Sequence, residues 1–98
     1  MSARRVRAVA RGRVQGVAYR AFSADAARAE GLAGWVRNRA DGSVEALFVG
    51  PLVDVATMLD KCRRGPPAAR VDEIVREVPV SEPLDEIRAA RFRKLPTL

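Results

Sequence analysis

Hydrophobic and polar residues alternate along the first stretch of the chain. Val6, Ala8 and Ala10 occupy every second position among Arg5, Arg7, Val9 and Arg11. That period of two predicts a strand over 4–14 with one buried face and its arginines toward solvent. The period then changes. Phe22, Ala26 and Ala29 are spaced by four and three, an apolar stripe for a helix over 19–30. Gly31 stands where a left-handed C-terminal cap belongs, with Leu32 placed to fold back on the last turn. Strand formers return over 33–39 (Trp35, Val36) and 43–50 (Val44, Leu47, Phe48, Val49). Ala40-Asp41-Gly42 between them is a hairpin signal, because glycine takes positive φ without steric cost.

Pro51 opens a second helix over 51–64, at a position where its missing N–H costs little. Leu52, Val55, Leu59 and Cys62 mark its buried stripe, Lys61, Arg63 and Arg64 complement its dipole, and Gly65-Pro66-Pro67 stops it. Residues 70–80 fit either period through Val71, Ile74, Val75 and Val78. Their β-branched content, with prolines on both sides, favours a strand. Residues 87–95 offer a last edge strand around Phe92. The order β-α-β-β-α-β predicts an α+β fold of the ferredoxin-like kind, an antiparallel sheet with two helices on one face. With 98 residues, one domain over 1–98 is expected, and two are excluded. That fold serves many functions, so function has to be argued from a site.

Composition removes several candidates. Hydrophobic residues make up 48% of the chain, enough for a core without metals or disulfides. Cys62 is the only cysteine, so no intrachain disulfide forms, and within an apolar helical stripe it reads as core rather than nucleophile. The chain contains no histidine, which removes histidine-based triads, phosphohistidine intermediates and most zinc sites. Nothing matches the G-x-x-x-x-G-K-[ST] nucleotide loop. No apolar run approaches the roughly 18 residues needed to cross a bilayer, and 1–9 contain no signal-peptide core. A cytoplasmic protein without membrane partners is the default. The net charge of +6 favours anionic partners, but nucleic acid, acidic lipid and phosphorylated metabolites satisfy it equally.

The remaining candidate is the turn Gly12-Arg13-Val14-Gln15-Gly16-Val17-Ala18-Tyr19-Arg20, which leaves a strand and enters a helix N-terminus. Such a turn can present successive backbone N–H groups to an anion, and Arg20 in the first helical turn can close over it bidentately. By spacing alone, an ordinary glycine turn followed by a surface arginine explains the same residues.

This stretch closely resembles the acylphosphatase signature G-R-V-Q-G-V-x-[FY]-R. A second block, Gly31-Leu32-x-Gly34-Trp35-Val36-x-Asn38-x-x-Asp41-Gly42-x-Val44-Glu45, resembles the G-L-x-G-W-V-x-N block of the same family. The likeness runs from Val6 to Phe92, dense through residue 50 and sparse beyond it. Tyr19 stands where phenylalanine is commoner, and Arg91-Phe92-Arg93-Lys94-Leu95 departs from the family pattern.

The resemblance implies an acylphosphatase that cleaves acyl phosphates to a carboxylate and phosphate. It places phosphate on the amides of Gln15, Gly16, Val17, Ala18, Tyr19 and Arg20, makes Arg20 the phosphate-binding arginine, and has Asn38 orient the attacking water. It implies neither a metal nor another cofactor, a small acyl phosphate as the partner, and a monomer. Two other classes share the topology. An RNA-binding module would use the arginine row of the first strand, yet the chain has only three Phe, one Tyr and one Trp for stacking bases, and none lies on that strand. A regulatory small-molecule-binding domain would normally be fused to an enzyme or paired as a dimer.

Overall fold

The computed structural model describes residues 4–77 and 91–97. Its elements run β1 (Arg4–Arg13), α1 (Tyr19–Ala29), β2 (Ala33–Asn38), β3 (Val44–Gly50), α2 (Leu52–Arg64), β4 (Arg70–Glu77) and β5 (Arg93–Lys94). The strands form one sheet in the order β4-β1-β3-β2-β5. Four of them pair antiparallel, and the two-residue β5 alone runs parallel to its neighbour β2. The helices pack on the sheet, α1 against β2 and β5, α2 against β4, β1 and β3. This is the expected ferredoxin-like α+β arrangement. The ambiguous 70–80 segment is a strand over Arg70–Glu77, while its last residues and positions 87–90 of the expected edge strand lie outside the described residues.

Both helix ends follow from local chemistry. Gly31 takes φ of 71°, its N–H donates to the Arg28 carbonyl at 3.0 Å, and the Leu32 N–H reaches the Ala27 carbonyl at 2.9 Å. That pair of bonds satisfies carbonyls the helix would otherwise leave open and buries Leu32. Pro51 sits one residue earlier than expected. It is the N-cap of α2, and its carbonyl accepts from the Asp54 and Val55 N–H groups.

The helix-facing core gathers Ala8, Ala10, Val36, Val44, Ala46 and Phe48 from the strands with Tyr19, Ala24 and Ala27 of α1 and Val55, Met58, Leu59 and Cys62 of α2. Two predicted stripes are corrected. On α1 the buried face is Tyr19, Ser23, Ala24 and Ala27, whereas Phe22 and Ala26 lie at its margin and Ala29 is exposed. On α2, Met58 is buried and Leu52 is 57% exposed, because the buried stripe 55, 58, 59, 62 begins about one turn after the helix start. Gly34 (φ 129°) carries the closest backbone approach, since a Cβ there would lie 1.8 Å from the Leu47 carbonyl oxygen.

The expectation that the arginines of β1 face water is also corrected. The sheet face opposite the helices buries Glu45 completely, and three guanidiniums surround it. Arg7 Nε donates to its Oε2 at 2.6 Å, Arg39 Nη2 to the same oxygen at 2.7 Å, and Arg37 Nε to Oε1 at 2.8 Å. Arg39 also bridges to Glu77 at 3.0 Å, and Arg11 lies near Asp41 and Glu73. Burial opposes ionisation of Glu45, but the bonds from Arg39, Arg37 and Arg7 outweigh it and hold the carboxyl at about 2.

Candidate active site

The loop that leaves β1 enters α1 without a side-chain cap. Its N-cap is Ala18, which has φ of 65° and is the only non-glycine residue with positive φ among the described residues. A left-handed alanine costs about 1–2 kcal/mol, so the surrounding structure must enforce it, a pattern associated with functional loops. Gly16 is left-handed too, at φ 72°, while Val17 between them is not. Alternating backbone hand of this kind turns successive N–H groups toward one concavity. The first helical bond runs from the Phe22 N–H to the Ala18 carbonyl at 3.0 Å, so the N–H groups of Tyr19, Arg20 and Ala21 have no helical acceptor. The first turn of α1 carries no acidic side chain to compete for them.

Beside these amides lies a cleft of about 140 Å³, lined by Val14, Gly16, Ala18, Tyr19, Arg20, Ala21, Asn38 and Lys94. The fold brings Asn38 there because it is the last residue of β2, on the side of the sheet shared with Val36 and α1. Arg20 and Asn38 therefore share one cleft, with the loop between them. The Asn38 Oδ1 is buried and has no hydrogen-bond partner, a costly condition for an amide oxygen that a ligand or water in the cleft would relieve. Among the described residues the Arg20 side chain makes no hydrogen bond or ion pair, so its guanidinium is available.

Gln15 and Val17 do not line the cleft with their side chains. Gln15 Nε2 donates to the carbonyls of Arg39 at 2.7 Å and Ser43 at 2.8 Å, clamping the loop to the β2–β3 turn. That turn is itself set by Asp41, whose Oδ1 accepts from the Ser43 N–H at 2.9 Å. Val17 is buried in the core and anchors the loop from below. Tyr19 turns its hydroxyl inward to donate to the Cys62 carbonyl at 2.8 Å, and burial holds its phenol well above the usual range. Cys62 is equally remote from chemistry, since burial pushes its thiol up to about 11.

Lys94 is the cleft residue that the sequence pattern does not reveal. It belongs to β5, whose parallel pairing puts it opposite Val36, and only that long-range register carries it to the cleft.

Comparison with known proteins identifies the family. The acylphosphatase family profile matches residues 6–92. The chain is 54% identical over 89 residues to the acylphosphatase of Bradyrhizobium diazoefficiens, covering 90% of each chain. It is 60% identical over 72 residues to that of Rhodospirillum rubrum, covering 74% of this chain and 78% of the other. The crystal structure of acylphosphatase from Bacillus subtilis superposes with a TM-score of 0.78 at 32% identity, covering 93% of this chain and 97% of that one. An acylphosphatase structure from Coxiella burnetii superposes at 0.82 with 26% identity, covering 96% and 94%. With two signature blocks converging on one anion-ready cleft and a family match across nearly its whole length, the chain belongs to the acylphosphatase family.

Proposed function

We propose that this single-domain protein hydrolyses acyl phosphates in the Arg20–Asn38 cleft. The phosphoryl group sits against the main-chain N–H groups of the loop from Gln15 to Arg20, and the Arg20 guanidinium clamps two of its oxygens. Asn38 accepts a hydrogen bond from a water through its Oδ1 and aims that water at phosphorus. As the water oxygen bonds to phosphorus, the bond to the acyl oxygen breaks and its electron pair leaves with the carboxylate. The water's proton passes to a phosphate oxygen of the substrate, because among the described residues no side chain lining the cleft is a suitable base.

Few parts suffice for this reaction. The leaving carboxylate is weakly basic, and phosphoryl transfer passes through a loose transition state, so positioning and charge stabilisation supply most of the rate. One observation carries the reading. The buried, unpartnered Oδ1 of Asn38 shares a cleft with an uncapped helix N-terminus and an unpaired arginine. The RNA-binding alternative is weaker, since Arg7 and Arg11 of the first strand are engaged with Glu45, Asp41, Glu73 and Glu77.

The test is hydrolysis of benzoyl phosphate by Arg20→Gln. A loss of at least about 10²-fold in kcat/KM is expected, the usual cost of removing a charge-stabilising donor. Wild-type turnover in that variant would refute the assignment.

A further inference from the structure

Lys94 is one of only two lysines in a chain whose other cations are arginines. Among the described residues, it and Arg20 are the cationic side chains that line the cleft. The segment that carries it is pinned on both sides. Before it, the Phe92 ring is buried and stacks on Phe48 at 5.7 Å, and the Phe92 carbonyl accepts from Arg28 Nη2 at 2.7 Å and Nε at 3.1 Å. After it, the Leu95 N–H donates to the Val36 carbonyl at 2.8 Å. The backbone of Lys94 is thus held beside β2 at the cleft, while its side chain stays exposed. Among the described residues that side chain has no ion pair or hydrogen bond.

The phosphoryl end of a substrate is already served by the loop amides and Arg20 on the α1 wall. Lys94, a second cation lining the same cleft, is left over once those oxygens are bound. We infer that Lys94 is a specificity-determining residue whose ammonium receives a second negative charge on the acyl part of the substrate, so that acyl phosphates of dicarboxylic acids are favoured over those with uncharged acyl groups. This inference rests on the cleft being the acyl phosphate site. A flexible point charge suits the task, because lysine follows a carboxylate whose position varies from one acyl group to another, whereas a guanidinium fork demands one geometry.

The test compares benzoyl phosphate with its 3- and 4-carboxy derivatives in wild type, Lys94→Met and Lys94→Arg. Comparing the substrate ratio of each variant with that of wild type cancels the intrinsic reactivity of each mixed anhydride. Lys94→Met is expected to lower the preference for at least one carboxybenzoyl phosphate over benzoyl phosphate by about fivefold, the effect of one partly solvated charge pair. The change should appear mainly in KM, shrink as salt rises, and be largely restored by Lys94→Arg. Equal losses for all three substrates, or no loss, would overturn the inference. Arg20→Gln separates the two claims, because its retention of benzoyl phosphate hydrolysis would remove the cleft assignment, whereas an unchanged ratio in Lys94→Met removes only the role of Lys94.

Discussion

The side-chain amide of Gln15 donates to the main-chain carbonyl of Arg39 at 2.7 Å, and the guanidinium of that same Arg39 grips the buried Glu45 at 2.7 Å. The loop between β1 and α1 is thereby tied, through one residue of the β2–β3 turn, to the ion cluster around Glu45. Gln15→Ala removes this bond and its companion to Ser43. A loss of about 1–2 kcal/mol in urea unfolding is expected, the net worth of two hydrogen bonds, since both carbonyls keep a main-chain donor in the Gly42 and Arg39 N–H groups. kcat/KM should fall with it, as the loop loses its brace.

Glu45 makes the protein sensitive to acid. Its carboxyl is held at about 2, below its ordinary value of 4.5. The contribution of the cluster is therefore complete above about pH 4.5 and is lost as pH falls toward 2. Unfolding free energy measured against pH should decline across that window. Glu45→Gln should cost about 3 kcal/mol or less at pH 7, because it takes the shared carboxylate from three partly buried guanidiniums, two of which keep Glu77, and should flatten the decline.

Gly34 permits β2 to approach Leu47 more closely than any side chain allows, with a hypothetical Cβ only 1.8 Å from a carbonyl oxygen. Gly34→Ala must push β2 away from β3 and displace Asn38 at the strand end. Thermal unfolding should show a loss of about 3 kcal/mol or more, well above the usual effect of a single methyl group.

Much of this was legible in the sequence because local rules and the fold agree. The change of period from two to 3.6 gave the element order, Gly31 the end of α1, and Asp41-Gly42 the hairpin. Arg20 is a candidate from its place in the first turn of α1, but Asn38 could be named only through the family signature, since nothing local distinguishes it from an asparagine serving its own turn. Other features were hidden for definite reasons. Period-two patterning assigns charged residues to water, so a buried Glu45 among arginines contradicts the rule that located its strand. Leu52 satisfies the helical stripe, yet the face that α2 buries starts only at Val55. Positive φ at Ala18 has no compositional mark, because glycine or asparagine is its usual signal. Lys94 depends on a two-residue parallel pairing between distant segments, which no local pattern encodes.

Asn38→Ala separates catalysis from stability. Its Oδ1 is buried without a partner, so deleting it should leave unfolding free energy within about 1 kcal/mol of wild type. Turnover of benzoyl phosphate should nevertheless fall by about 10²-fold or more, with the inhibition constant for inorganic phosphate little changed.

The central claim is that the cleft seats a phosphate, and a crystal soaked in inorganic phosphate tests it directly. The account predicts one phosphate bound to the main-chain amides between Gln15 and Arg20, with the Arg20 guanidinium on two of its oxygens and the Asn38 side chain facing it across a water. A phosphate bound elsewhere while this cleft holds only solvent, or Arg20 turned away from a bound anion, would contradict it.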